Sequence, residues 1–221
     1  MPTEVETTTP RPHPHPGCFL VLDGPDGGGK TTQAARMADW LRARGLDVVT
    51  CRDPGGTALG NRLRSILMDR DSIAIALGAE MLLFMASRAQ MIEEVIRPAL
   101  EAGRVVVCDR FTLATIVYQG YAGGLDPAAI ARVAAVATGG LLPDLTIILD
   151  VAPEIARARV GTARDRIEDR PASYHDQVRR GYREAARGGP GRGDAPPFYP
   201  APVVLIDASA DSDTVFQQIQ S

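Results

Sequence analysis

Lysine is almost missing from this chain. Of its 24 Lys and Arg residues, Lys30 is the only lysine. So strong an arginine bias marks a coding preference that replaced lysine wherever replacement was tolerated. The lysine that survives stands where a compact ammonium is needed and a forked guanidinium would not fit. Cysteine is also scarce: Cys18, Cys51 and Cys108 are odd in number and lack CxxC spacing, which argues against a disulfide framework or a zinc ribbon. Cys51 and Cys108 close apolar, strand-like runs and read as small buried residues in a reducing, cytoplasmic compartment. There is no basic surplus. A net charge of −3 argues against a general nucleic-acid binder, so a nucleotide partner should be small and locally clamped. Although 45% of the residues are apolar, none of the apolar runs reaches the roughly 18 residues of a membrane span. Residues 1–17, rich in Pro and Thr, have no apolar core of a secretory signal and are expected to be a disordered lead-in, with His13 and His15 incidental to it. The remainder, 18–221, has the length of one domain with a sizeable core.

What is present centres on Phe19 to Thr32, FLVLDGPDGGGKTT. A short apolar run breaks into glycine, then into a lysine followed by two threonines. Gly24, four residues, then Gly29-Lys30-Thr31 is Walker A spacing, with a strand before it and a helix after it. Gly24, Gly27, Gly28 and Gly29 let backbone N–H groups converge on phosphate oxygens, because no Cβ blocks positive φ or close approach. Pro25, Asp26 and Thr32 complete the loop and the first helical turn, whose positive end adds to the same point. In this pattern Lys30 reaches the β- and γ-phosphates of ATP, and the Thr31 hydroxyl ligates Mg²⁺.

Along the rest of the chain, apolar spacing and turn residues predict strands at 46–51, 104–108, 145–150 and 203–206. With the first strand these make a five-stranded parallel sheet, helices on both faces, in an α/β P-loop fold. Helices are expected over 30–44, stopping at Gly45; 57–68, with Leu59, Leu63, Ile66 and Leu67 inward; 79–100; 112 to Gly120 or soon after; one capped by Asp126 with Pro127 at its first position; one from Pro153; 174–187; and about 212–221. Arg52 and the Asp53-Pro54 bond, which can be cis, fall at the C-terminal sheet edge where ligands bind in such folds. Asp109-Arg110 falls at the same edge. Phe84 and Arg88, four apart on one helix, form a stacking platform with a forked donor beside it. The charge-rich stretch 157–171 reads as a lid whose arginines close over phosphates, and 188–200 as a surface loop.

Taken together, GPDGGGKTT, RDPGGT, LRSIL, LLFMASR, DRF, YQG, PDLTIILDV and DRIE occur in order from Phe19 onward, and the chain resembles the thymidylate kinases of bacterial type. The resemblance implies transfer of the γ-phosphoryl group of Mg·ATP to thymidine 5′-monophosphate (dTMP) by a homodimer of nucleoside monophosphate kinase fold. It also implies roles. Asp26 orients the acceptor near its 3′-hydroxyl. Arg52, Arg64 and Arg110 hold the acceptor phosphate, with Arg110 also able to reach the γ-phosphate. Asp109 holds the Mg²⁺ shell. Phe84 stacks on thymine, Arg88 donates to its O4, Thr115 and Gln119 flank the base edge, and Tyr118 packs where a 2′-hydroxyl would be crowded. Gly27 stands where the eukaryotic type carries an arginine, so that charge is expected from the lid, from Arg164 and Arg166 with Arg159 in reserve. Ala114 replaces a serine common in relatives.

Two other readings fit parts of the pattern. One is a nucleoside monophosphate kinase of altered base choice, motivated by Ala114. The other is a P-loop ATPase switch, which leaves the Phe84 and Arg88 platform without a purpose. Lys30→Ala is expected to abolish turnover while far-ultraviolet circular dichroism stays that of the parent; turnover at the parent's rate would refute the phosphate role of the ammonium.

Overall fold

The computed structural model describes residues 13–70, 74–160, 165–188 and 199–221. Five strands, β1 (Cys18–Asp23), β2 (Val48–Arg52), β3 (Val105–Asp109), β4 (Leu145–Asp150) and β5 (Val203–Asp207), pair in parallel in the order β2-β3-β1-β4-β5. Parallel neighbours require crossovers, and the connecting segments supply the helices that cover the two faces. The sequence of β1 shows how. Phe19 and Val21 point to one face and Leu22 to the other, and all three are fully buried.

On the Leu22 face, α1 (Lys30–Arg42) and α9 (Ser212–Gln220) pack Met37, Leu41, Val215 and Phe216 against Val107 and Leu149. On the Phe19 face, α3 (Leu77–Met91) widens into a π segment, Ile92–Ile96, and continues as α4 (Arg97–Glu101), setting Met91, Ile92, Ile96 and Leu100 against Val106 and Phe111. A third cluster joins α2 (Ala58–Met68), α3, α6 (Pro127–Thr138) and α8 (Ala172–Arg187) around Leu67, Met85, Val117, Ile130 and Tyr182. Asp126 caps α6, accepting from the N–H groups of Ala128 and Ala129.

Several expectations change. The helix expected over 79–100 is interrupted by its π segment, and the one beginning at Thr112 is α-helical only as α5 (Thr112–Thr115) before a second π segment, Ile116–Ala122. It ends at Gly123, where an added Cβ would lie 2.6 Å from the Gln119 carbonyl oxygen. The apolar stripe of α2 is not all inward. Leu67 is fully buried, but Leu59 and Ile66 are 45% and 42% exposed, because α2 buries only Gly60 and Leu67. Leu82 on α3 and Val136 on α6 are exposed as well. The loop expected over 188–200 lies mostly outside the described residues, as does the lid tip, 161–164.

The lead-in departs furthest from expectation. Residues 1–12 lie outside the description, but 13–17 are packed onto the body. His13 is buried and its Nε2 pairs with Asp144 Oδ2 at 2.9 Å, while the same oxygen accepts the Phe19 N–H at 2.7 Å. The Gly17 N–H donates to the Leu100 carbonyl at 2.9 Å, where a Cβ would collide with Leu100 and Arg104. Asp144→Ala removes the partner that His13 and the Phe19 N–H share and leaves that N–H without an acceptor. It should lower stability by about 1–3 kcal/mol, read as a shift of the urea midpoint at unchanged m-value; an unchanged midpoint would show that the 13–17 clasp contributes nothing.

Candidate active site

β1 delivers the chain at Asp23 into the glycine loop. Gly24 has φ 133°, and a Cβ there would sit 2.6 Å from the Leu149 carbonyl oxygen; Gly27 has φ 74°, with Ala156 O at 2.5 Å. Both positions therefore exclude other residues. The Gly28 N–H closes the turn on Pro25 O at 3.2 Å. Gly29, left-handed at φ 83°, is the N-cap of α1 and lends no side chain to the first turn, so those N–H groups face the crevice that Thr31 and Thr32 line.

Lys30 is buried, with Nζ donating to Pro25 O at 2.7 Å. Burial, reinforced by the nearby Arg110 charge, brings its ammonium down to about 8 against the pull of Asp26, Asp109 and Asp23. Thr31 Oγ1 donates to Asp109 Oδ2 at 2.5 Å. A hydroxyl and a carboxylate meeting at the mouth of a phosphate loop are hard oxygen donors of the kind Mg²⁺ accepts while keeping several waters. Among the described residues no group of three or more His, Cys, Asp or Glu side chains forms a cage for a metal.

Arg110 links this loop to a second cleft. It follows β3 with φ 70°, a left-handed conformation uncommon for a side chain of this size, and its N–H is held by Leu22 O at 2.9 Å. The turn aims the guanidinium back over the loop. It donates to Gly24 O at 3.0 Å, to Tyr182 Oη at 3.1 Å, to Tyr118 Oη at 3.2 Å and, closely, to Asp26. Tyr118 Oη in turn donates to Asp26 Oδ2 at 2.7 Å, and Tyr182 Oη to Asp23 Oδ1 at 2.5 Å. Burial pushes Asp23 up despite Arg110. Burial acts on Asp26 in the same direction, but Arg110, Lys30 and the Tyr118 hydroxyl outweigh it and hold the carboxyl below its ordinary range.

The second cleft lies beyond Arg110, on the side away from the phosphate loop. Arg52, Arg64 and Arg110 line one part, and Phe84, Arg88, Ala114, Thr115, Tyr118 and Gln119 another. Every acceptor-side residue expected from the sequence is thus brought to one cleft, with Asp26 shared between it and the phosphate loop. Arg52 remains half exposed, 4.0 Å from Asp109, and Arg64 donates to Pro54 O at 3.1 Å across the Asp53-Pro54 bond, which is cis.

Arg88 differs from the free fork expected of it. Fully buried, it gives Nε to Asp53 Oδ2 at 2.5 Å and one terminal nitrogen to Phe111 O and Thr115 Oγ1; the other terminal nitrogen touches only Met85 Sδ, at 3.0 Å. A single edge of the guanidinium is left for a ligand. Asp53, its buried partner, was passed over in the sequence, where it reads as part of a turn.

Arg166 is not where it was expected, whereas Arg159 does reach the loop. Arg164 lies outside the described residues. Arg166 points away from the loop, its terminal nitrogen 2.6 Å from Glu80 Oε2 and its Nε on Leu67 O at 3.0 Å. Arg159, on α7 (Pro153–Val160), spans the Ala208, Ser209 and Ala210 carbonyls after β5 and also reaches the phosphate loop, donating to Gly27 O at 3.4 Å. Glu168 of the lid, with its carboxyl raised by burial, faces both cleft and loop and was also missed. So were Asp23 and Tyr182. Asp23 carries a legible signal, an acid at a strand end directly before the loop; Tyr182 carries none.

The chain can now be set beside known proteins. A family model described as thymidylate kinase matches residues 22–192. Thymidylate kinase of Desulfovibrio desulfuricans is 43% identical over 212 residues, covering 92% of this chain and 93% of that protein, and the Exiguobacterium thymidylate kinase is 40% identical with 92% of both covered. Among solved structures, thymidylate kinase from Ehrlichia chaffeensis superposes with a TM-score of 0.73 at 27% identity, over 92% of this chain and 97% of that one. The glycine loop, the arginine-lined second cleft and these matches over nearly the whole length agree: the chain belongs to the thymidylate kinase family.

Proposed function

We propose that this protein transfers the γ-phosphoryl group of ATP to dTMP, giving ADP and dTDP for the synthesis of DNA precursors. The observation that carries the reading is Arg110, one guanidinium that touches both the donor loop through Gly24 O and the acceptor cleft through Asp26 and Tyr118. A phosphoryl transfer needs two anionic phosphates brought into line and neutralised, and little covalent chemistry from the protein. Lys30 and the N-terminal turn of α1 grip the donor phosphates. Arg52 and Arg64 hold the acceptor phosphate, whose oxygen is already anionic and needs no general base. Arg110 lies between the two. Asp26 orients the sugar and keeps Arg110 in position.

Phe84 stacks on the base, the free edge of Arg88 donates to it, and Thr115 and Gln119 bound its rim, while Tyr118 packs against the deoxyribose. Thr31 and Asp109 would hold Mg²⁺, which when bound supplies neutralising charge to the donor phosphates. Arg164 remains the candidate for the lid charge. The exposed apolar residues Leu59, Ile66, Leu82 and Val136 support a homodimer, and the scarcity of cysteine supports a reducing, cytoplasmic setting. No helix among the described residues is long and apolar enough to cross a membrane. A kinase of different base choice is the second reading, because Ala114 lines the cleft without a polar group to offer.

A coupled assay with the monophosphates of thymidine, deoxyuridine, deoxycytidine and guanosine decides between them. The highest kcat/KM is expected with dTMP, and a higher value for any of the others would overturn the assignment. A second expectation comes from Lys30. Because its pKa is lowered to about 8, the gripping ammonium is lost as pH rises through that value. ATP affinity should be flat from pH 7 to 7.5 and then weaken, by up to about tenfold per pH unit, while Lys30→Ala binds weakly throughout and without that inflection. Isothermal titration across pH 7 to 9.5 reads it, and a wild-type profile as flat as the variant's would exclude the titration.

A further inference from the structure

Glu80 lies outside every role given above, yet it sits where the walls of the acceptor cleft meet. It is in the first turn of α3 and fully buried. Its Oε2 accepts from Arg166 at 2.6 Å and from Arg170 at 2.7 Å; its Oε1 accepts from Arg170 at 2.9 Å and from Gln119 Nε2 at 2.8 Å. Both arginines belong to the lid. Arg166 is tied further to the end of α2 through Leu67 O, and Arg170 donates to Tyr174 Oη, which in turn donates to the Tyr118 carbonyl. One carboxylate therefore joins lid, α2, α3 and the π segment that carries Tyr118 and Gln119.

Two consequences follow from elementary chemistry. A buried carboxylate that loses its cations is left uncompensated, so the lid segment 165–170 is held down by a contact that is costly to break. A carboxylate can also only accept, so the edge of the Gln119 amide that meets it must be the –NH₂ edge. The Gln119 carbonyl oxygen is then the atom left for the cleft, an acceptor suited to a pyrimidine whose N3 carries a hydrogen. Cytosine, with a lone pair at N3, would meet it oxygen to nitrogen.

We infer that Glu80 is a positioning residue that latches the lid through Arg166 and Arg170 and sets the Gln119 amide to select pyrimidines bearing an N3 hydrogen. The inference rests on the thymidylate kinase reading above, and it gives Arg166 a latch role in place of the catalytic one expected from the sequence.

The test measures kcat and KM for dTMP and dCMP with saturating Mg·ATP, and hydrogen–deuterium exchange over 165–170, in the wild type, Glu80→Gln and Arg166→Met. In both variants the KM for dTMP should rise about tenfold or more, with kcat changed less than about threefold, and amides 165–170 should exchange faster. In Glu80→Gln alone, where the amide of residue 119 is free to turn, the preference for dTMP over dCMP in kcat/KM should fall about tenfold. Unchanged KM, exchange and preference would overturn the inference. So would an Arg166→Met that loses about 10²-fold in kcat at unchanged KM, since that result places Arg166 on the transferred group. Arg166 is on the lid and partly exposed, so its variant still decides the latch if Glu80→Gln fails to fold, and Gln119→Leu then decides the base preference, which should collapse. A wild type without activity on any pyrimidine monophosphate removes the functional reading as well, whereas an active wild type with indifferent variants removes this inference alone.

Discussion

The arrangement depends on a half-buried guanidinium held between two carboxylates. Arg110 is held at positive φ by the end of β3, and Asp23, Asp26, the Gly24 carbonyl, Tyr118 and Tyr182 surround it. Taking such a charge out of water is costly unless its partners are already in place. That requirement couples elements far apart in the chain: the glycine loop after β1, the turn after β3, the π segment, and α8, which brings Tyr182. Because the partners are fixed by the sheet and by the core around Tyr182, the cation is preorganised where, in the proposed transfer, donor and acceptor would meet. In that position it needs little reorganisation as charge shifts during transfer.

The same logic recurs at each cation of the site. Arg88 is locked by Asp53, Arg166 and Arg170 by Glu80, and Lys30 rests on a loop carbonyl with Asp26, Asp109 and Asp23 nearby. These acids decide where the groups proposed to bind phosphate and base stand. A chain with a single lysine suits this design, since a guanidinium can meet a carboxylate with one edge and keep another for a ligand. Arg88 does so between Asp53, Thr115 and the cleft.

The two π segments belong to the same account. Each adds a residue to a helical turn and so re-aims the side chains that follow. From consecutive positions of Ile116–Ala122, Tyr118 reaches Asp26 and Gln119 reaches Glu80.

Read alone, the sequence determined the parts whose causes are local. The five strands, the glycine loop and the Asp126 cap follow from apolar periodicity, from φ values only glycine tolerates, and from motifs of characteristic spacing, while the grouping of Arg52, Arg64, Phe84, Arg88, Arg110 and Tyr118 was implied by the resemblance to thymidylate kinases. Tertiary structure alone decided what each charged side chain does there, because a carboxylate carries no mark of which cation it will meet. Glu80 in a helical turn and Asp53 in a loop look like solvated acids until folding buries them against Arg166, Arg170 and Arg88. His13, in a tail that reads as disordered, is recruited by Asp144 from 131 residues away. Pairing across such separations depends on desolvation and on which elements the sheet order sets side by side, and neither is written in the neighbourhood of the residues concerned.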